Sequence, residues 1–242
     1  MSVGTTATIF ATLINNTDTE AVDCRLSAPS LQGIDFTYSQ TDPATNQVIG
    51  DPNPTLNIGP NEARSFVISV RPYMAITPGF VAPNFDCANK FDALVVNGVN
   101  TLLFSASDAP VPDVIAVAVT PDLNDGVLRI SGNNAANAFS IATTNLGAAG
   151  RIEVTPVAEL RGGSDPLNLE ICQTDPATGS CIDTPSASIV VDIEVLEAPT
   201  FAVFAFAQGA PVPFDPGENR IFLNFTQSGQ TRGGTSVAVT TE

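Results

Sequence analysis

The sequence predicts an all-β chain built as two tandem β-sandwiches. The six-residue word Gln-Thr-Asp-Pro-Ala-Thr occurs twice, at Gln40–Thr45 and at Gln173–Thr178. Short apolar or alternating runs recur along the chain with turn residues between them, and no stretch sustains the 3.6-residue period of a helix. Together these observations point to one β-module present in two copies.

The repeat extends on both sides of the shared word. Phe36-Thr37-Tyr38 precedes the first copy and Leu169-Glu170-Ile171 precedes the second. Upstream, ATLINN (Ala11–Asn16) matches ATTNLG (Ala142–Gly147). Downstream, Ser65–Val70 matches Thr200–Ala205, and Thr101–Ser107 matches Thr235–Thr241. A chain of 242 residues accommodates two modules of ordinary domain size, each with its own core. The expected organisation is residues 1–108, a linker at 109–113, and residues 114–242. Ala109-Pro110-Val111-Pro112 makes that linker short and stiff, which favours a fixed relation between modules.

In the first module the expected strands are Ala7–Leu13, Ile34–Tyr38, Ser65–Val70 and Thr101–Ser105. In the second they are Val114–Val119, Val127–Ile130, Phe139–Thr143, Ile152–Val157, Leu167–Ile171, Ile189–Val195, Phe201–Phe206, Ile221–Phe225 and Ser236–Thr240. Asp51-Pro52-Asn53-Pro54, Gly59-Pro60-Asn61, Asn124-Asp125-Gly126, Gly162-Gly163 and Pro216-Gly217 supply the turns. Within the repeated word, Asp42 and Asp175 are suited to cap a turn, and Pro43 and Pro176 preset its φ.

The modules differ at their starts. The second opens with an extra hairpin, Val114–Ile130, turning at Asp122–Gly126, whereas the first begins almost at its ATLINN strand. Either the sequence is cut from a longer chain, or the first module has an exposed edge that another chain can fill by strand addition.

Composition narrows function. There are 25 acidic against 9 basic residues, a net charge of −16. A field of that sign repels phosphate backbones and anionic lipid, so nucleic-acid and membrane-surface binding are disfavoured. No apolar run approaches the ~20 residues of a membrane-spanning helix. No signal-peptide pattern opens the sequence, so export implies a signal already removed.

Four cysteines form two natural pairs. Alternation places Cys24 with Val22 and Leu26, and Cys87 with Phe85, on inward faces. Two inward cysteines so far apart are similar to the inter-sheet bridge of immunoglobulin-like sandwiches, although the chain has no tryptophan to pack on it. Such a bridge would stabilise the fold by about 4 kcal/mol in the chain-entropy model. Cys172 and Cys181 bracket the second repeated turn at equivalent points of a hairpin, where a bridge is worth roughly 2–3 kcal/mol. The alternatives are four buried thiols or a metal site. Metal is disfavoured because there is no CxxC pair and no histidine. Disulfides would place the protein in an oxidising compartment.

No catalytic constellation is legible. Without histidine there is no imidazole base and no Ser-His-Asp triad. The one lysine, Lys90, lies outside any SxxK pattern, and no nucleophile elbow or phosphate loop occurs. No cofactor is expected. Calcium has weak candidates in Asp122 and Asp125, and in Asp215 and Glu218, but neither loop has the alternating acidic spacing of a calcium loop. Thr200–Ala207 is apolar on both faces, so Phe201, Phe204 and Phe206 include side chains that must cover a second surface. The candidates are an intramolecular neighbour or a partner chain.

The strand ending in Asn-x-Gly at Ala142–Gly147, the repeated hairpin, and the ending Phe214-Asp215-Pro216 with Asn219-Arg220-Ile221-Phe222 resemble CARDB-like and related immunoglobulin-like repeats of bacterial secreted or surface proteins. The first module departs at Asn15-Asn16-Thr17, which has no glycine. The resemblance implies an extracellular or cell-surface spacer, adhesion or assembly role among other domains or protein chains, and no catalytic residues. A self-assembling surface-layer or filament subunit is the main alternative. A carbohydrate-binding module is the third, disfavoured because Tyr38 and Tyr73 are the sole tyrosines.

Overall fold

Strands and turns account for all the regular structure among the described residues, as turn-punctuated alternation requires. The computed structural model describes residues 1–28, 31–121, 123–161 and 166–241. The expected turn at Gly162-Gly163 and the calcium candidate Asp122 lie outside these residues. The chain divides into two compact units: Met1–Val95 with Asn100–Ala109, and Pro110–Glu242 with Val96–Val99.

The first unit contains β1 (Ala7–Ile14), β2 (Ala21–Ser27), β3 (Ile34–Thr41), β4 (Val48–Ile49), β5 (Leu56–Ile58), β6 (Ala63–Pro72), β7 (Ile76–Val81), β8 (Asn84–Asp86) and β9 (Leu102–Ala106). One sheet has the order β1-β6-β3-β4, and β5-β2-β8 and β7-β9 form two smaller sheets. Alternation on β6 sends Phe66, Ile68 and Val70 inward, where they pack with Leu26, Tyr38 and Phe104. Burying each large side chain contributes about 1.5–3 kcal/mol.

The second unit contains β10 (Val114–Val119), β11 (Val127–Arg129), β12 (Ala136–Asn145), β13 (Gly150–Glu159), β14 (Leu167–Thr174), β15 (Ile189–Ile193), β16 (Thr200–Ala207), β17 (Arg220–Gln227) and β18 (Gln230–Thr240). The sheets run β10-β12-β16-β14 and β11-β18-β17-β13-β15. The first corresponds to the A-B-E-D sheet of an immunoglobulin-like sandwich, and β18-β17-β13 to its G-F-C sheet. Phe201 and Phe225, from opposite sheets, meet edge to face at 5.7 Å in the core.

The extra hairpin expected at Val114–Ile130 does not form. β10 pairs antiparallel with β12, while β11 pairs parallel with β18 in the other sheet. Two open sheet edges each gain a ladder this way, which a self-contained hairpin would leave unpaired. The segment before β10 is also tied down: Leu146 N–H donates to Asp113 O and Ala148 N–H to Val111 O. Gly147 makes this approach possible, because a Cβ there would meet Val111 O at 2.2 Å.

The internal repeat is visible atom by atom, with one correction to its register. Asn15, just after β1, and Asn145, the last residue of β12, are buried and make matching backbone bonds. Each backbone N–H donates to a glutamate carbonyl, Glu62 at 2.9 Å and Glu197 at 3.0 Å. Each of those glutamates turns back to cap a backbone N–H, of Gly59 and Glu194 respectively. Asn15 Nδ2 donates to the carbonyls of Thr19, Ile58 and Gly59, and Asn145 Nδ2 to those of Ala148 and Glu194. Matching ATLINN with ATTNLG letter by letter sets Asn15 against Leu146. The structure sets it against Asn145. A slip of one residue exchanges the two faces of a strand, so burial decides the register and residue identity does not.

These amides are buried donors, and losing them leaves the carbonyls they bond without their partner. Asn145→Ala is expected to destabilise the second unit by about 2–3 kcal/mol, and Asn15→Ala the first unit similarly, each read as a lower unfolding midpoint. A loss under about 0.5 kcal/mol at either site would refute the clamp.

Candidate functional site

The repeated word forms the same turn twice. Asp42 Oδ1 accepts from Ala44 N–H at 2.9 Å, Thr45 N–H at 2.9 Å and Thr45 Oγ1 at 3.1 Å. Asp175 Oδ1 accepts from Ala177 N–H at 2.7 Å and Thr178 N–H at 3.3 Å. The turns close through Asn46 and Gly179 at positive φ, which asparagine and glycine tolerate. Their acids serve the backbone.

Both pairs of cysteines are joined as disulfides, but not in the expected settings. Cys24 and Cys87 bridge neighbouring strands of one sheet, since β2 pairs with β8 through Arg25 and Asp86 immediately beside them. The bridge is cross-strand and not inter-sheet, because inward alternation fits either geometry. Cys181 lies opposite Thr174, so its bridge to Cys172 runs diagonally across the arms instead of joining equivalent points. It ties the segment after the turn onto the edge of β14.

The calcium candidates are engaged elsewhere. Asp125 pairs with Arg129 at 2.8 Å, and that hydrogen bond holds its carboxyl below the usual carboxylate range. Asp215 pairs with Arg161 at 2.8 Å, and its carbonyl closes the turn onto Glu218 and Asn219. Among the described residues no group of three metal-ligating side chains converges. Tyr38 is a core residue whose hydroxyl donates to Pro54 O, whereas Tyr73 is exposed.

The aromatic strand β16 divides sharply. Phe201 belongs to the core with Val203, Ala205 and Ala207, so it is no part of an interaction face. Phe204 and Phe206 point the other way and are half-buried. Pairing places them beside Ala138 and Ala136 of β12 on one side and Glu170 and Asn168 of β14 on the other. Farther out, β10 adds Ile115, Val117 and Val119, at 52%, 59% and 44% exposure. Glu170 is the one charged side chain among the outward positions of these four strands. The signal for the β10 residues was present in the sequence, since Val114–Val119 is apolar at every position.

The first unit lacks this face. Phe66 and Phe201 are equivalent core residues, and the same alignment sets Ser69 against Phe204 and Arg71 against Phe206. The buried Thr174 hydroxyl meets Thr200 Oγ1 at 2.7 Å, while its counterpart Thr41 Oγ1 has no hydrogen-bond partner among the described residues.

No family model and no curated protein matches the chain. Among solved structures it is similar to the CupB6 tip adhesin of Pseudomonas aeruginosa, at TM-score 0.31 and 11% identity over 100% of this chain and 93% of that one. A CARDB domain from Pyrococcus furiosus, solved in complex with di-metal ions, matches at TM-score 0.26 and 14% identity over 55% of this chain and 96% of that one. The BcpA major pilin subunit of Bacillus cereus matches at TM-score 0.30 and 11% identity over 92% and 70%. No residue role is transferred from any of them.

The turn makes a pH prediction. The backbone N–H groups of Thr45 and Ala44, then the Thr45 hydroxyl, hold the Asp42 carboxyl below its ordinary 3.8. A carboxyl lowered on folding stabilises the folded state above its ordinary value, and that contribution disappears as pH falls through the lowered one. A carbon-detected titration of Asp42 should give a value below 3.8, and Asp42→Asn should remove this part of the acid sensitivity. A value at or above 3.8 would show that the turn does not favour the charged form.

Proposed function

We propose that the chain is a non-enzymatic structural or adhesion module of an exported bacterial protein, acting through protein–protein contact outside the cytoplasm. The observation that carries this reading is the outer face of the β10-β12-β16-β14 sheet. An acidic protein places a single charge, Glu170, on this sheet face beside Ile115, Val117, Val119, Phe204 and Phe206. Apolar surface of this kind recognises other apolar surface, and contiguous exposed patches mark interaction sites. The two disulfides support an oxidising compartment, because reducing cytosol does not maintain them. Side chains fill the second unit's core continuously, which suits a rigid element that presents a surface.

Val117→Glu with Phe204→Glu should leave the fold and both disulfides intact, because both side chains point away from the core. The double variant should lose retention on immobilised proteins from an exported fraction, measured against the unmodified chain. Equal retention would remove the outer face from the function. Sedimentation across a wide concentration range separates a foreign partner, for which the chain stays monomeric, from self-assembly, for which its mass rises.

A further inference from the structure

The two copies of the module differ at one sheet edge, and the second shows what belongs there. In the second unit β12 has β16 on one side and β10 on the other. Leu146 N–H donates to Asp113 O, so the antiparallel alternation pairs Thr144 with Ile115, Ala142 with Val117, and Ser140 with Val119 as hydrogen-bonded partners. The match of Asn15 with Asn145 places Ile14, Thr12 and Phe10 at those positions of β1. Among the described residues β1 pairs with β6 alone. The N–H and C=O groups of Phe10, Thr12 and Ile14 therefore face the free edge.

The core beneath tells the same story. Phe139, Ile141 and Thr143, on the inward side of β12, are 2%, 1% and 5% exposed. Their counterparts Ile9, Ala11 and Leu13 are half-buried on the inward side of β1. On the outward side Phe10 and Ile14 are 57% and 63% exposed. Edges that must stay free usually carry charge, proline or a bulge, and Ala7–Ile14 has no charge and no proline.

We propose that the β1 edge is a docking site for an antiparallel β-strand donated by a partner polypeptide with the chemistry of Val114–Val119. That chemistry is an uncharged, six-residue extended segment with small or β-branched residues at alternate positions. This inference rests on the reading of the chain as a protein-binding module, and it uses a different surface from the outer face above. Small inward residues, as Ala116 and Ala118 are in β10, cover Ile9, Ala11 and Leu13. Main-chain bonds to Phe10, Thr12 and Ile14 supply the ladder. One end of the docked strand is fixed by the fold. Asn145 Oδ1 accepts from Asp113 N–H at 3.0 Å, but Asn15 Oδ1 accepts from Thr17 Oγ1 at 2.7 Å. Lys90 Nζ holds that same hydroxyl at 2.7 Å. The added strand thus starts opposite Ile14 and runs toward Thr8.

The probe is a synthetic Val114–Val119 peptide with a solubilising lysine tail, titrated into the full chain and followed by amide hydrogen exchange. Exchange at Phe10, Thr12 and Ile14 should slow while Ser140, Ala142 and Thr144 stay unchanged. Thr12→Pro removes an N–H that faces the free edge and spares the ladder to β6, so it should weaken binding by on the order of tenfold or more. The same peptide N-methylated at Val117 should fail equally on the unaltered protein, which covers the case that Thr12→Pro does not fold. No protection, or binding indifferent to both changes, overturns the proposal. A dimer that Thr12→Pro abolishes, without peptide binding, also overturns it and assigns the edge to a second copy. Peptide binding that survives Val117→Glu with Phe204→Glu keeps this proposal separate from the fate of the outer face.

Discussion

Each unit depends on a buried amide that joins one of its sheets to another. Asn15 ends a strand of one sheet and donates to Ile58 O and Gly59 O at the end of a strand in another. Asn145 does the same toward Glu194 O. Two packed sheets have a hydrophobic core to hold them together, but apolar contact alone does not fix their register. A buried side chain with fixed donors and acceptors does, because any other register leaves those groups unpaired at full desolvation cost. The reciprocal cap from Glu62 and Glu197 then closes the corner where the chain enters the central strand, β6 or β16. That strand carries a fully buried phenylalanine, Phe66 or Phe201, so the clamp helps set the position of the core.

Much of this was legible because it is local. Asp42-Pro43 and Asp175-Pro176 announce a turn through chemistry that needs no tertiary partner. Alternation in Ser65–Val70 and Thr200–Ala205 gives both the strand and its inward face. What failed was whatever depends on which strands meet. The run Val114–Val119 declares a strand but not its sheet, so β10 and β11 read as a hairpin when each joins a different sheet. Cys24 and Cys87 read correctly as inward, yet an inward cysteine bridges a neighbouring strand as readily as the opposite sheet. Phe201, Phe204 and Phe206 are identical in composition and opposite in fate, and parity against Phe66 separates them.

The two copies have diverged according to what each must cover. In the second unit β17 runs unbroken between β13 and β18. In the first, β8 pairs with β2 and β7 with β9, leaving two small sheets with the segment 87–101 between β8 and β9. The Cys24–Cys87 bridge continues the three-pair ladder between β2 and β8 by a covalent bond. The buried Thr41 hydroxyl, unpaired where Thr174 meets Thr200, follows the same pattern of looser satisfaction in the first unit.

Edges make the clearest contrast. In the second unit, β10 begins against Gly233 of β18, where a Cβ would meet Val114 O at 2.1 Å. The far edge, β14, is covered by the segment that Cys181 anchors. Glycine at one edge and a disulfide at the other both serve to finish that sheet. Among the described residues no comparable device protects β1. Its outward residues are Thr8, Phe10, Thr12 and Ile14, with no charge among them in a chain whose net charge is −16. Acidic residues are plentiful elsewhere, and one on β1 would suffice to discourage pairing. Among the described residues both edges of one sheet are covered, while the equivalent edge of its copy pairs with no strand and carries no charge, which suits it to pairing.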